Sequence, residues 1–255
     1  KLYDGLGRLV TVAADTSLLR AVNGRAMASI GNGTTTFGDF NGAAALVNVI
    51  AAALAIPATS LHVYVKQGTY VIPATITATG LDLVIEGADQ SECILQNTHA
   101  TQTGIVTTSR LEVRRVTFTR TSTATKAITA GNLFLTDVTV TGMSVNLLSG
   151  TGNRVWDRVT LSGAGHLVDL GAGSATGSLL IRDSRLTSSA TGVSVIYSVT
   201  TGGGIGAVTL ERCHCVVSTG TDSSTESGIV DIESDFGQTT TGARTLLKFR
   251  FLECT

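Results

Sequence analysis

Short runs of apolar residues alternate with polar ones along most of the chain, and they share one form. LHVYVKQGTY (61–70), LDLVIEGADQ (81–90), LEVRRVTFT (111–119) and LFLTDVTVT (133–141) are followed by RVWDRVTLS (154–162), LLIRDSRLT (179–187), VTLERCHCV (208–216) and KFRFLECT (248–255). Each centres on an apolar residue, two polar residues and a small apolar residue. Alternation of this kind marks a half-buried strand. Aligning the first apolar positions gives Val65, Ile85, Val113, Leu135, Val155, Ile181, Leu210 and Phe251. Their steps fall mostly within about 20 to 29 residues, the length of solenoid coils.

A second apolar segment follows within most repeats: GIVTTS (104–109), AITAGN (127–132), SVNLLS (144–149), HLVDLG (166–171), GVSVIY (192–197) and GIVDIE (228–233). Two strands per repeat, joined by Gly, Thr and Ser turns, predict a bent coil that buries its inner face by stacking on its neighbours. The fold expected is all-β, a single-stranded parallel β-helix. One inward column reads Val116, Val138, Val159, Ser184, Cys213 and Cys254. In that alignment the repeat containing Trp156 carries one extra residue, Arg158, which a bulge would absorb.

The pattern changes from period two to an Ala-rich helical run at 42–56, with Asn41 placed to cap it and Pro57 after its end. An apolar helix just before the first coil predicts a cap over the open end of the solenoid. The expected organisation is an attachment or linker segment over 1–40, a capping helix over 41–56 and the β-helix over 57–255. The chain stops at Thr255 within a repeat, which predicts further chain or a partner covering that end. The longest insertions come late, at 198–206, 218–227 and 234–243.

Composition narrows the function. The net charge is -1 with 15% charged residues, without the basic face of a nucleic-acid binder. No apolar run reaches the length of a membrane span. Cys93, Cys213, Cys215 and Cys254 lack zinc spacing; they read as core thiols, with a disulfide between stacked coils the alternative. Cys213-His214-Cys215 alternates in and out on a strand, so its three side chains cannot chelate together.

GNGTTTFGDFNGAAALVNVIAAALA (31–55) followed by LHVYVKQGTYVI (61–72) resembles the start of pectate-lyase-like domains in bacteriophage tailspikes and tail fibres. There a Gly-Asp entry leads into a capping helix and a V-x-V-P-x-G-x-Y turn. Here Lys66-Gln67-Gly68-Thr69-Tyr70 stands at that turn, with Lys66 in place of the proline. LDLVIEGADQSECILQ (81–96) resembles the second coil. The resemblance implies a right-handed helix, parallel homotrimers and a place on the virion. It does not imply an activity, because such folds serve lyases, hydrolases and inert adhesins alike.

Candidate chemistry is sparse. Glycoside hydrolysis needs two carboxylates, about 5 Å apart or about 6.5–9.5 Å apart. Asn146, Asp169, Val195 and Asp231 align in the second-segment column, which puts Asp169 and Asp231 about 10 Å apart over two coil steps. With Glu233 and Asp235 beside Asp231, Asp169, Asp231 and Glu233 are the catalytic candidates; the alternative is a solvated outer face. Asp137, Asp157 and Asp183 align on successive coils among Arg114, Arg115, Arg158, Arg182 and Arg212. Several carboxylates together suit calcium, but the arginines make a self-neutralising ladder the better reading. No cofactor or metal site is expected. His62, His99, His166 and His214 fall in different coil contexts. Val193, Val195 and Tyr197 form an apolar strip expected to face outward as an oligomer interface, unless inserted loops cover it.

The expectation is a virion fibre or spike protein with structural and glycan-binding roles. Its partners would be further copies of itself, bacterial surface polysaccharide and other virion proteins, with no nucleic acid and no membrane insertion. A polysaccharide depolymerase, hydrolase or lyase, is the first alternative. A capsid decoration fibre or a bacterial secreted β-helix protein is the second.

Overall fold

The apolar–polar–polar–apolar form has a conformational cause. In the last six of the eight repeats the second polar residue sits in the left-handed region: Arg115, Asp137, Arg158, Asp183, Arg212 and Glu253 all have φ between 49° and 53°. A strand that continued straight would turn the next apolar residue outward. One left-handed residue bends the chain and turns it inward again, so Val113 and Val116, or Leu210 and Cys213, both reach the core. That bend divides these segments between two faces: the strand breaks there in the later coils, as between Asn153–Asp157 and Thr160–Gly163, and runs through it in Ile105–Arg120 and Lys126–Thr141. The coil therefore has three faces, counting the second apolar segment as the third.

The computed structural model describes residues 2–3, 9–10, 19, 21–99, 103–121, 126–147, 153–170, 177–189, 195–198, 207–217, 230–232 and 248–255. They form a parallel β-solenoid of about five turns. Every coil pairs in parallel with the next. The first face stacks Val63, Ile85, Val113, Leu135, Trp156, Ile181, Leu210 and Phe251 in register. The second stacks Tyr70, Leu95, Phe118, Val140, Leu161, Leu186 and Cys215. The third runs Ile76, Ile105, Ile128, Val145, Val168, Ile196 and Val230. Most of these side chains are buried in one continuous core, each worth about 1.5–3 kcal/mol on full burial.

Two register expectations are corrected. In the first coil Val63, not Val65, holds the aligned position, since Val65 pairs with Gly87. In the fifth, Trp156 pairs with Leu135 and Ile181. Trp156 is fully buried and Val155 is not. No bulge is needed: Arg158 is the left-handed corner itself. A one-residue shift exchanges the two faces of a strand, so Arg154 turns inward. It is fully buried between Leu133 and Leu179 in the stack, and its Nε donates to the Gly131 carbonyl at 2.5 Å. Burial lowers its pKa from the ordinary arginine value.

The solenoid sheet also begins earlier than expected. Strand Arg25–Gly31 pairs in parallel with Ser60–Val65, so part of the segment read as a linker belongs to the sheet. The helix spans Ala45–Leu54 and buries Ala45, Leu46, Val49, Ile50, Ala52 and Ala53. Ala44 holds its N-cap position without a side-chain cap. Asn41 does not cap it; its amide is engaged with Gly38 on both sides.

The entry motif holds the first coils together. Asn32 Oδ1 accepts from the backbone N–H groups of Thr34, Thr35 and Thr36. Asp39 Oδ2 accepts from the Ser29 backbone and hydroxyl. Gly68, at φ +148°, lies so close to Asn32 that an added Cβ would come within 2.8 Å of its side chain. Tyr70 is buried and its hydroxyl is within bonding distance of the Ile30 and Lys66 carbonyls, at 3.2 and 2.8 Å. Lys66 donates through Nζ to the Phe37 carbonyl.

The corner residues pair in alternating sign. Arg158 makes a two-pronged contact with Asp137, at 2.6 and 2.9 Å. Arg212 does the same with Asp183, at 2.7 and 2.9 Å. The preceding row adds Asp157, bound by both Arg158 and Arg182, and Glu211, bound by Arg212. Asp157 thus lies one position before the corner rather than in line with Asp137 and Asp183, and the row is a self-neutralising ladder.

Trp156→Ala should cost about 3–5 kcal/mol in denaturant unfolding, whereas Val155→Ala should cost less than about 1 kcal/mol; equal losses would reject the register. The bonds from Arg158 and Arg212 hold Asp137 and Asp183 below the ordinary carboxylate range. Their depressed folded pKa values mean that this stabilisation is present above about pH 4 and lost as pH falls through the folded values. Asp137→Asn with Asp183→Asn should therefore flatten the fall of melting temperature with pH below about pH 4, measured by circular dichroism.

Candidate functional site

A recess opens among the described residues where the chain turns between the second and third faces. Among the described residues the chain crosses this corner through Gly142 and Met143 alone in one coil and through 164–167 in the next. The short turn beside the longer one leaves a notch. Its volume is about 330 Å³, and its lining includes Arg120, Lys126, Gly142, Gly163, Gly165, His166 and Asp169. Gly142 has φ +76°, and an added Cβ would sit 2.9 Å from Arg120 Nε, so glycine there lets the arginine lie against the turn. The Gly142 N–H donates to the Ser162 carbonyl at 2.6 Å and ties the short turn to the next coil.

The electrostatics of the notch are basic. Arg120, Lys126 and His166 line it, against Asp169 as the carboxylate among the described lining residues. Lys126 Nζ lies 3.4 Å from Asp169 Oδ2. Asp169 projects between buried Val168 and Leu170, so strand alternation sets it outward while its neighbours hold the third face. Below, Met143 and Leu167 are buried and anchor the two turns.

Of the catalytic candidates, Asp169 lines this recess. Asp231 is on the same register row, but Tyr197, not Val195, lies between them: Asp169 pairs with Tyr197 and Tyr197 with Asp231. By backbone register the two positions are two coil steps apart, about 10 Å by strand spacing. Glu233 lies outside the described residues. The expected outward apolar strip is corrected at Val195, which is fully buried. Val193 lies outside the described residues, and Tyr197 is fixed only by its backbone register.

The other singled-out residues are structural. His62 stacks on Tyr64 at 4.2 Å and lies 2.9 Å from Glu86. The His99 backbone N–H donates to Asn97, and His214 lies 3.0 Å from the Thr255 hydroxyl. All four cysteines are free. Cys93 and Cys213 donate to carbonyls of the preceding coil, Val65 and Ile181. Burial raises the Cys213 thiol and pushes Cys215 up to about 12, which withholds the thiolate a nucleophile requires.

Sequence reading missed Arg120, Lys126 and the glycines as a group, because no local pattern joins them. The available signal was the contrast in length between successive turns. Comparison with protein-family models, curated proteins and solved structures finds no match. No described helix is long and apolar enough to cross a membrane.

In native protein at pH 8, iodoacetamide should leave Cys93, Cys213 and Cys215 unmodified, and denaturant should expose all of them. Modification of Cys215 in the folded protein, read by peptide mass, would contradict its placement.

Proposed function

We propose that this chain is the β-helical part of a bacteriophage fibre or spike protein, structural in role and binding a glycan of the bacterial surface. The observation that carries the reading is the notch. It is a recess of mixed polar and apolar lining, with glycines at its turns and, among the described lining residues, one carboxylate already paired to a lysine. Glycan binding needs such a surface; hydrolysis needs a second carboxylate at a defined distance. The entry motif supports the same reading, because Asn32, Asp39, Gly68 and Tyr70 of the tailspike-like segment all serve the packing of the first coils.

Three finer features belong to this proposal. The coil is right-handed, as parallel crossovers overwhelmingly are. The helix Ala45–Leu54 closes the first coils. The assembly is a homotrimer on the virion. A polysaccharide lyase is the second reading, favoured by one observation: the notch places lysine, arginine and histidine, all capable of proton transfer or charge neutralisation, beside one another.

Purified surface polysaccharides of candidate hosts, immobilised and probed with the protein, should retain it without yielding new reducing ends or unsaturated products. Product formation would replace adhesion by depolymerisation. If Asp231→Asn then kept full activity, Asp231 would be excluded as a catalytic group. A monomer by light scattering of the full-length chain would overturn the trimer.

A further inference from the structure

We propose that copies of this chain meet through the outer side of the first face, along an apolar column that runs up the solenoid. The proposal rests on the homotrimer reading and names its surface. In register, the outward position between the two inward columns passes from Met27, His62 and Val84 through Glu112 to Phe134, Val155 and Leu180. Met27 is 62% exposed, and Val84, Phe134, Val155 and Leu180 are half-buried. Neighbours in a column are about 4.8 Å apart, so these side chains make one strip rather than the scattered apolar residues of an ordinary surface. Glu112 interrupts the strip but is held by Arg110 and Arg114. The Arg110 guanidinium in turn lies 4.7 Å over the Phe134 ring. The other faces differ. Outward columns of the second face carry hydroxyls, with Thr117, Thr139 and Thr160 in one and Thr141 and Ser162 in the next. On the third face Val195 is buried.

Area and charge both favour a second copy as the occupant. The first face runs from strand Arg25–Gly31 to strand Lys248–Leu252. At ordinary strand spacing and rise it is about 40 Å long and about 17 Å wide. That is roughly 700 Å², close to the about 800 Å² per partner of a standard interface. In a ring of parallel copies, one flank of the strip meets the opposite flank of the next copy at the same height. The two flanks are unlike. Asp157, Arg182 and Glu211 form one, while Asn153, Ser178 and Ala207 form the other. Charges of one copy therefore meet amide, hydroxyl and methyl groups instead of like charges, and an amide can both donate and accept. An apolar seam with a polar rim is the anatomy of a protein interface.

The test uses the full-length chain with a single cysteine added on one face or another. Val155→Cys and Leu180→Cys should each join copies of the chain under mild oxidation, read as a band of doubled mass on non-reducing electrophoresis. Thr141→Cys, on the second face, should not, and the wild type serves as the blank. Circular dichroism should show all three variants folded, since each side chain points outward. An assembled protein that joins at Thr141→Cys alone, or at none of the three positions, would overturn the first-face seam and leave the trimer standing. Joining only in a mixture of Val155→Cys with Leu180→Cys, and in neither variant alone, would mean antiparallel copies and overturn the parallel ring. A monomeric wild type would overturn the trimer reading itself, and the seam with it.

Discussion

One backbone constraint organises most of the molecule: a single left-handed residue at the same corner of six successive coils, from Arg115 to Glu253. L-residues resist that conformation, and glycine or asparagine would adopt it more readily. The chain instead places charged residues there, six in succession. Each one lets the inward columns on both sides of the corner stay in register from coil to coil. Given that register, parallel hydrogen bonding and the continuous core follow. The alternating charges turn a strained position into a row of paired ones, which keeps both signs satisfied at a crowded edge.

Much of the fold was legible because this corner leaves a trace in the sequence. The two polar residues between apolar ones are the outward residue and the bend. The inward columns and the helical run at 42–56 were readable for the same reason: periodicity reports facing. What escaped was anything that a shift of register could disguise. Val155 and Trp156 are both apolar neighbours, and only the spacing from Trp156 to Val159 decides between them. The buried Arg154 defied the rule that charge faces water. Strand Arg25–Gly31 was hidden because Arg25, Met27 and Ser29 give it an outward row without a second coil before it.

The candidate site was less legible, and for a different reason. Asp169 could be named from its column, but the groups around it come from three coils. Arg120, Lys126 and His166 are brought together by the relative lengths of turns, a comparison between coils rather than a motif within one. Solenoids build sites in this way: the regular part supplies position, and departures from regularity supply shape. The same logic governs any carboxylate pair on this fold. Residues on one row are spaced by whole coil steps, so only adjacent coils bring two carboxylates within reach.

The charged corner also gives the solenoid a parity. Its structural period is one coil, but its electrostatic period is two, because the sign reverses from Arg115 to Asp137 to Arg158 and onward to Glu253. Removing one internal coil would set like charges face to face at the join. Removing two would restore the alternation. Growth or loss of this molecule by tandem duplication is therefore constrained to even steps, a counting rule written in charge rather than in the shape of the backbone.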